Sequence, residues 1–528
     1  MNIAEVLLEQ ARQQPQQLAL IDLSRGRARQ LSFDELARAS GNLATFFKQK
    51  SLPPGSAVLV WLPMSLELYV VLIALFRLGL TALFIDPAFG REKISQCCDL
   101  IRPAGLVGGL KAQALGWFCR GLRSIPNRFI PGFSFPGIAA LAQALPPEGT
   151  PLANLTSDAP ALITFTSGST GQPKAIVRTH EFLLNQQAVL QSHLQLPAGQ
   201  LNLVTLPIFV LSNLAAGINS LIPSADLRKP GRIEPGTLFA EISRYQPASL
   251  TASPAFLVRL AEYCQEQEKR LSGVLQIFTG GGPIFPNQIQ RLAQMAPQAR
   301  VTLIYGSTEA EPIAHLKASE ITSGDYERMR QGSGLLAGRP IDEIQLAIIA
   351  NQWGQPVGPL SREAFKATCM PAGRPGEIVV AGRHMIKGYY RGQGDSETKI
   401  EVDGEIWHRT SDAGYLDERG RLWLLGRCAA YAADARGSLY PFSVEAAALN
   451  FANVRQAALL CHAGRRILFV QPLKKSTLDL NALHTALAWA QLDEIRTIHQ
   501  IPLDKRHNTK VDYHTLKKLI IKSPNSSV

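Results

Sequence analysis

Between Leu162 and His180 the chain reads LITFTSGSTGQPKAIVRTH. An apolar run stops at a cluster of small hydroxyl residues and glycines and resumes after Pro173-Lys174. Gly168 and Gly171 carry no Cβ, so backbone N–H groups there can approach an anion closely. Thr166, Ser167, Ser169 and Thr170 add hydroxyl donors, and Lys174 adds a positive charge. Such a loop is suited to a polyphosphate. Its spacing is not the G-x-x-x-x-G-K-[ST] of a P-loop, and the apolar residues after Lys174 read as a strand, which disfavours a Walker-type nucleoside triphosphatase. A Ser/Gly linker is the competing reading, and the apolar runs that clamp the loop on both sides weigh against it.

Farther along, VLQIFTGGGPIFP (274–286) reads as a strand ending at Gly280, Gly281 and Gly282. Glycines at the carboxyl end of a strand let backbone approach a flat ring, although three glycines alone also make an ordinary turn. LTASPAFL (250–257) has the same strand-then-small-residue character.

The elements that must position these loops follow from pattern. Ser32 is placed to cap a helix whose apolar residues, Leu36, Leu43, Phe46 and Phe47, fall at helical spacing. SAVLVWL then reads as a strand, Leu68 to Ile85 as a buried helix running into a buried strand, and TALFIDP as that strand. Arg77 and Gly79 interrupt this stretch, which argues against a membrane span. Alternating strand and helix predicts an α/β layer with a parallel-rich sheet. Residues from about 105 to 157, rich in Pro and Gly with weak periodicity, read as a connection.

The 528 residues, 46% hydrophobic and 18% charged, are too many for one growing core, so at least two domains are expected. The net charge of +12 is dispersed, consistent with anionic substrates. No nucleic-acid-binding motif is present, and contact with a membrane surface is left open. Seven scattered cysteines without C-x-x-C spacing suit reduced thiols in a cytoplasmic protein. The N-terminal MNIAEVLLEQARQQPQQ reads as an amphipathic helix, with Glu5 and Glu9 inside its apolar pattern.

TSGSTGQPKAIVRTH closely resembles the phosphate-binding signature of the adenylate-forming superfamily, which includes acyl-CoA synthetases, peptide-synthetase adenylation domains, luciferases and β-lactone synthetases. The resemblance extends over nearly the whole chain. It implies that Gly280, Gly281 and Gly282 line an adenine pocket. LIYGSTEAEP (303–312) resembles the second signature, implying that Tyr305, followed by Gly306, stacks near adenine, that Thr308 contacts the α-phosphate, and that Glu309 holds Mg²⁺. One carboxylate suffices there, since Mg²⁺ completes its octahedron with phosphate oxygens and water. In WHRTSDAGYLDERGRLWLLGR (407–427) the resemblance implies that Asp412 binds both ribose hydroxyls, assisted by Arg427. Ser411 stands where the family usually has Gly. LVTLPIFVLSNLAAG (203–217) resembles the acyl-pocket block, with Phe209, Val210 and Leu211 as an apolar wall in place of a common His; core packing is the alternative for each.

The resemblance further implies a large N-terminal domain, 1–427, of parallel-rich sheets layered with helices, and a small mobile α+β lid, 428–528, that carries a catalytic lysine. Members commonly place an Asp two residues beyond the boundary Arg; here the sequence is Cys428-Ala429-Ala430-Tyr431. Lys510 occupies the lysine position, and D-K-R-H-N-T-K is similar to the D-x-R-H-N-x-K of β-lactone synthetases of long-chain olefin biosynthesis. Lys505 and Arg506 are neighbouring cations.

The implied activity is ATP-dependent, AMP-forming activation of a carboxylic acid, with pyrophosphate release. Two acceptors remain open: the hydroxyl of a long-chain β-hydroxy fatty acid, giving a β-lactone, or CoA, giving a fatty acyl thioester. A nucleotide-binding sensor or scaffold without chemistry is a third reading, supported only by the missing hinge Asp.

Overall fold

Local signals set the first elements. Asn2 and Ser32 each form a reciprocal capping box, with Glu5 and Glu35, at the start of helices Ile3–Gln13 and Phe33–Gln49. The helix Leu66–Arg77 is buried, and after the turn at Gly79, whose φ is +65°, the chain enters strand Thr81–Phe84. Among the described residues no helix is long and apolar enough to cross a membrane.

The computed structural model describes residues 1–145, 150–167, 173–473, 477–503 and 510–522. It divides into two units. The first comprises Met1–Leu227, Thr237–Thr251 and Arg383–Asp395. The second comprises Arg228–Gly236, Ala252–Gly382 and Ser396–Val528, so residues on both sides of Arg427 belong to one unit.

In the first unit a six-stranded sheet has the order Asn127–Phe129, Gly105–Gly108, Ala57–Trp61, Thr81–Phe84, Pro160–Ser167, Pro173–Thr179. All neighbours are parallel except the last two, which form an antiparallel hairpin. The apolar residues after Lys174 are thus a strand, as their pattern predicts. A second layer of parallel strands places Leu201–Val204 between Asn219–Ile222 and Ser249–Ala252. The stretch 105–157 is more structured than a connection. It holds strands Gly105–Gly108 and Asn127–Phe129 and helices Leu110–Leu115, Arg120–Arg123 and Ile138–Gln143. Each is six residues or fewer, too short for a period of 2 or 3.6 to declare itself in sequence.

In the second unit Gln276–Gly280 runs parallel to Arg300–Ser307, and the sheet then continues antiparallel through Ala310–Lys317, Leu335–Pro340 and Leu422–Arg427 to Glu405–Leu416 and Gly376–Gly382. Asp417-Glu418-Arg419-Gly420 is the hairpin turn its composition predicts: Asp417 N–H donates to Arg421 O at 2.9 Å, and Gly420 has φ +71°. Arg421 then bridges the Asp417 and Asp325 carboxylates at 2.9 and 2.8 Å, tying the turn to helix Ser323–Arg330. After Arg427 come helix Pro441–Leu449, the sheet Val454–His462, Arg465–Pro472, Glu494–Thr497, and helix Tyr513–Lys522.

Candidate active site

The second unit contains a cavity of about 1010 Å³. Three strand ends converge on it. Gly280 pairs with Ile304, and a Cβ at Gly280 would lie 2.6 Å from the Ile304 carbonyl oxygen, so only glycine permits this strand spacing. Gly281, with φ +83°, turns the chain, and Gly281 and Gly282 line the cavity beside Tyr305 and Gly306. Gly280 itself is buried behind them.

On the opposing strand Asp412 lies directly across from Arg427. Asp412 accepts a hydrogen bond from the Tyr305 hydroxyl at 3.0 Å and pairs with Arg427 Nη1 at 3.2 Å. Its backbone N–H donates to Thr410 Oγ1 at 3.1 Å. Burial, and then the Asp412 charge, push the Tyr305 phenol well above the usual tyrosine range, so it remains a donor. The Asp412 carboxylate raises Arg427 above its ordinary value. Both carboxylate oxygens are thus oriented at the cavity wall by one neutral and one cationic donor, an arrangement that can exchange onto a vicinal diol.

Ser411, at the position where the resemblance predicts glycine, has φ +64°, in the left-handed region that favours glycine. Its hydroxyl compensates: Ser411 Oγ accepts from Arg427 Nη1 and donates to the Thr410 carbonyl. The strand carrying these residues is anchored beneath by Arg409 and Glu377, a fully buried bidentate pair at 2.9 and 2.7 Å, with Arg409 also donating to Gln355 O at 2.7 Å. Burial raises the Glu377 carboxyl despite this partner.

Thr308 and Glu309 form the two-residue turn between Arg300–Ser307 and Ala310–Lys317, stabilised by Ser307 Oγ accepting from the Glu309 and Ala310 N–H groups at 3.3 Å each. Both are half-buried and neither lines the cavity. The Glu309 carboxylate adds to the field that raises Arg427 and opposes the fall of His408, a buried imidazole lowered to about 3 by burial and then by Lys399. A half-buried carboxylate at a turn can supply one oxygen to a hard divalent cation whose other ligands are phosphate oxygens and water, so the residue fits Mg²⁺.

Lys510 lines the same cavity and is exposed, one residue before Val511, which bridges back to Leu503. Two further residues of this wall come to light only in the structure. Glu445, fully buried, accepts from Leu459 N–H at 3.0 Å and from the Tyr513 hydroxyl at 3.4 Å. Burial pushes its carboxyl up to about 8. Tyr513 stands three residues after Lys510, so this contact fixes the start of the helix behind the lysine. That offset was the available signal.

The first unit holds the other candidates. Thr166 pairs with Lys174, and Ser167 with Pro173, across the hairpin. Lys174 is buried, its Nζ 5.8 Å from the centre of the Tyr389 ring. Gly168, Ser169, Thr170 and Gly171 lie outside the described residues, as do Lys505 and Arg506. Phe209, Val210 and Leu211 are buried on helix Pro207–Ala215, where Leu211 faces Ile3, Leu183 and Leu190.

Residues 7–390 match the AMP-binding enzyme family. The chain is 31% identical over 545 aligned positions to an olefin beta-lactone synthetase of Stenotrophomonas maltophilia, covering 97% of this chain and 96% of the relative. It is 29% identical to an olefin beta-lactone synthetase of Xanthomonas campestris pv. campestris, covering 87% and 84%. In fold it is similar to the O-succinylbenzoate coenzyme A synthetase of Bacillus subtilis solved with ATP and a magnesium ion, with a TM-score of 0.75 at 19% identity over 97% of this chain and 99% of that one. The chain therefore belongs to the AMP-binding enzyme family and is an ATP-dependent enzyme that activates a carboxylic acid with formation of AMP.

Proposed function

We propose that the enzyme closes a long-chain β-hydroxy fatty acid to a β-lactone through an acyl adenylate. A substrate carboxylate oxygen attacks the α-phosphorus of ATP, the bond from that phosphorus to the bridging oxygen breaks, and pyrophosphate leaves. The substrate's own β-hydroxyl oxygen then attacks the activated carbonyl carbon. Its proton passes to a base, the bond from that carbon to the AMP oxygen breaks, and a four-membered ring and AMP are released.

In this reading Asp412 and Arg427 hold the ribose diol, and Gly281, Gly282, Tyr305 and Gly306 bound the adenine, with Gly280 behind them setting the strand spacing. Thr308 contacts the α-phosphate. The 166–174 loop with Lys174 cradles the phosphates, and Glu309 would hold Mg²⁺, whose charge would offset that of the phosphates. Lys510 stabilises the charge that builds on the α-phosphate oxygens, a contribution of a few kcal/mol where water is excluded. Phe209, Val210 and Leu211 form an apolar wall for the acyl chain, and 428–528 acts as the lid that brings Lys510 to the nucleotide.

The observation that carries the lactone reading is the 31% identity, spanning 97% of the chain, to an olefin beta-lactone synthetase. The D-K-R-H-N-T-K sequence before Val511 agrees with it. Transfer to CoA shares the first step and differs only in the nucleophile. The test uses a β-hydroxy acid labelled with heavy oxygen in its carboxylate. Adenylation transfers one labelled oxygen to AMP, whereas unlabelled AMP would exclude this first step.

A further inference from the structure

The stretch between Asp99 and Glu148 has no acidic residue and five basic ones, Arg102, Lys111, Arg120, Arg123 and Arg128. The same stretch presents large apolar side chains to solvent: Leu110 is 74% exposed, Trp117 74%, Phe118 63% and Phe133 87%. Burying such side chains is ordinarily favourable, so several kept exposed close together are costly unless something covers them.

Topology brings them to one end of a sheet. Gly105–Gly108 and Asn127–Phe129 are adjacent and parallel, so the segments leaving their carboxyl ends, 109–118 and 130–135, emerge side by side. Gln113 joins them, its Nε2 donating to Phe129 O at 3.2 Å and Gly108 O at 3.4 Å. Arg123 Nη2 donates to Trp117 O at 2.7 Å, and the Arg91 guanidinium lies 5.5 Å from the Phe118 ring centre. The rings are thus held by a built scaffold. On the neighbouring helix Arg91–Ile101, Arg91 and Lys93 offset Glu92 and Asp99, so the surplus positive charge lies on the aromatic-bearing segment itself.

We propose that this end of the first unit docks on an anionic phospholipid surface. Trp and Phe at loop tips enter the boundary between headgroups and acyl chains, while Lys111 and Arg120, both exposed, face the anionic headgroups. Charge complementarity selects the occupant: a run of basic residues without an acidic one repels another copy of the same face and is drawn to a negative surface. The proposal stands on this face alone and does not depend on which acceptor takes the acyl group.

The test is co-sedimentation of the full chain with phosphatidylcholine vesicles, with and without phosphatidylserine, at low and high salt. Binding is expected only with phosphatidylserine and is expected to fall with salt. Each basic residue near such a surface contributes about five-fold, so a Lys111→Glu, Arg120→Glu double variant should lose more than about twenty-fold. A Trp117→Ala, Phe118→Ala, Phe133→Ala variant should lose at least about tenfold. Phe133→Ala alone, at the most exposed position, gives a partial loss and guards against misfolding, which thermal unfolding also checks. Equal binding to neutral vesicles, unchanged binding of the variants, or self-association through this face in place of vesicle binding would each overturn the proposal.

Discussion

Replacing Asp412 by Asn separates a nucleotide-binding role from a structural one. The side chain keeps its size and one acceptor oxygen, loses its charge, and turns the second acceptor into a donor. In the resting site that second oxygen is held by Tyr305 at 3.0 Å and the charge by Arg427 at 3.2 Å. With nucleotide bound, the carboxylate would accept from two ribose hydroxyls. One charge-assisted hydrogen bond contributes about 1.5 to 3 kcal/mol, so losing one should raise the KM for ATP about ten- to a hundred-fold. The stability effect should be much smaller, because the Arg427 and Asp412 side chains are 40% and 21% exposed and a pair so placed contributes about 1 kcal/mol or less. The assay is acid-dependent exchange of labelled pyrophosphate into ATP, with thermal unfolding alongside. A KM for ATP within about twofold of the parent, or a stability loss larger than the binding loss, would refute the assignment of Asp412 to the ribose.

Ser411→Gly relieves a left-handed backbone, a gain of about 1 kcal/mol, and removes the hydroxyl that accepts from Arg427, a loss of similar size. Stability should change by less than about 1 kcal/mol while the KM for ATP rises, measured by denaturant unfolding and the same exchange assay. Lys510→Ala should lower the rate of acid-dependent pyrophosphate exchange by about a hundred- to a thousand-fold with little change in the KM for ATP; an unchanged rate removes Lys510 from the first step. Glu445 gives a pH dependence. With its carboxyl raised from 4.5 to about 8, the folded protein retains a proton that the unfolded chain has released. This contribution to stability is complete below about 4.5, is lost as pH rises toward about 8, and is level above, an amplitude on the order of 5 kcal/mol. The difference in urea-unfolding stability between the parent and Glu445→Gln should trace this fall across that range, because His408, lowered to about 3, and His180, lowered to about 4, add a rise below about pH 6.5 that both proteins share; the Gln keeps an acceptor for Leu459 N–H and Tyr513.

Much of the site is legible in sequence because its chemistry depends on residue type and local order. The GGG after an apolar run, the Asp417 to Gly420 turn and the strand after Lys174 each announce themselves through backbone freedom or alternation. The Ser411 departure is visible too, although its meaning requires the φ of +64° and the hydroxyl aimed at Arg427. What stays hidden depends on distant partners. Nothing local in Val444-Glu445 shows that the carboxyl will be buried against Leu459 and Tyr513. The Tyr305–Asp412 bond likewise joins residues 107 positions apart. The strands and helices of 105–157 are hidden for another reason, since elements of three to six residues are too short to carry a period and are defined by the sheet they join.

Capture of the activated acid by its own hydroxyl makes the product a lactone and not a thioester. The most direct test incubates the enzyme with Mg·ATP and a long-chain β-hydroxy fatty acid, with and without CoA, and identifies the products by mass. The expected product is the hydroxy acid less one water, formed with AMP and pyrophosphate and indifferent to CoA. An acyl-CoA product, with no lactone in its absence, would contradict it.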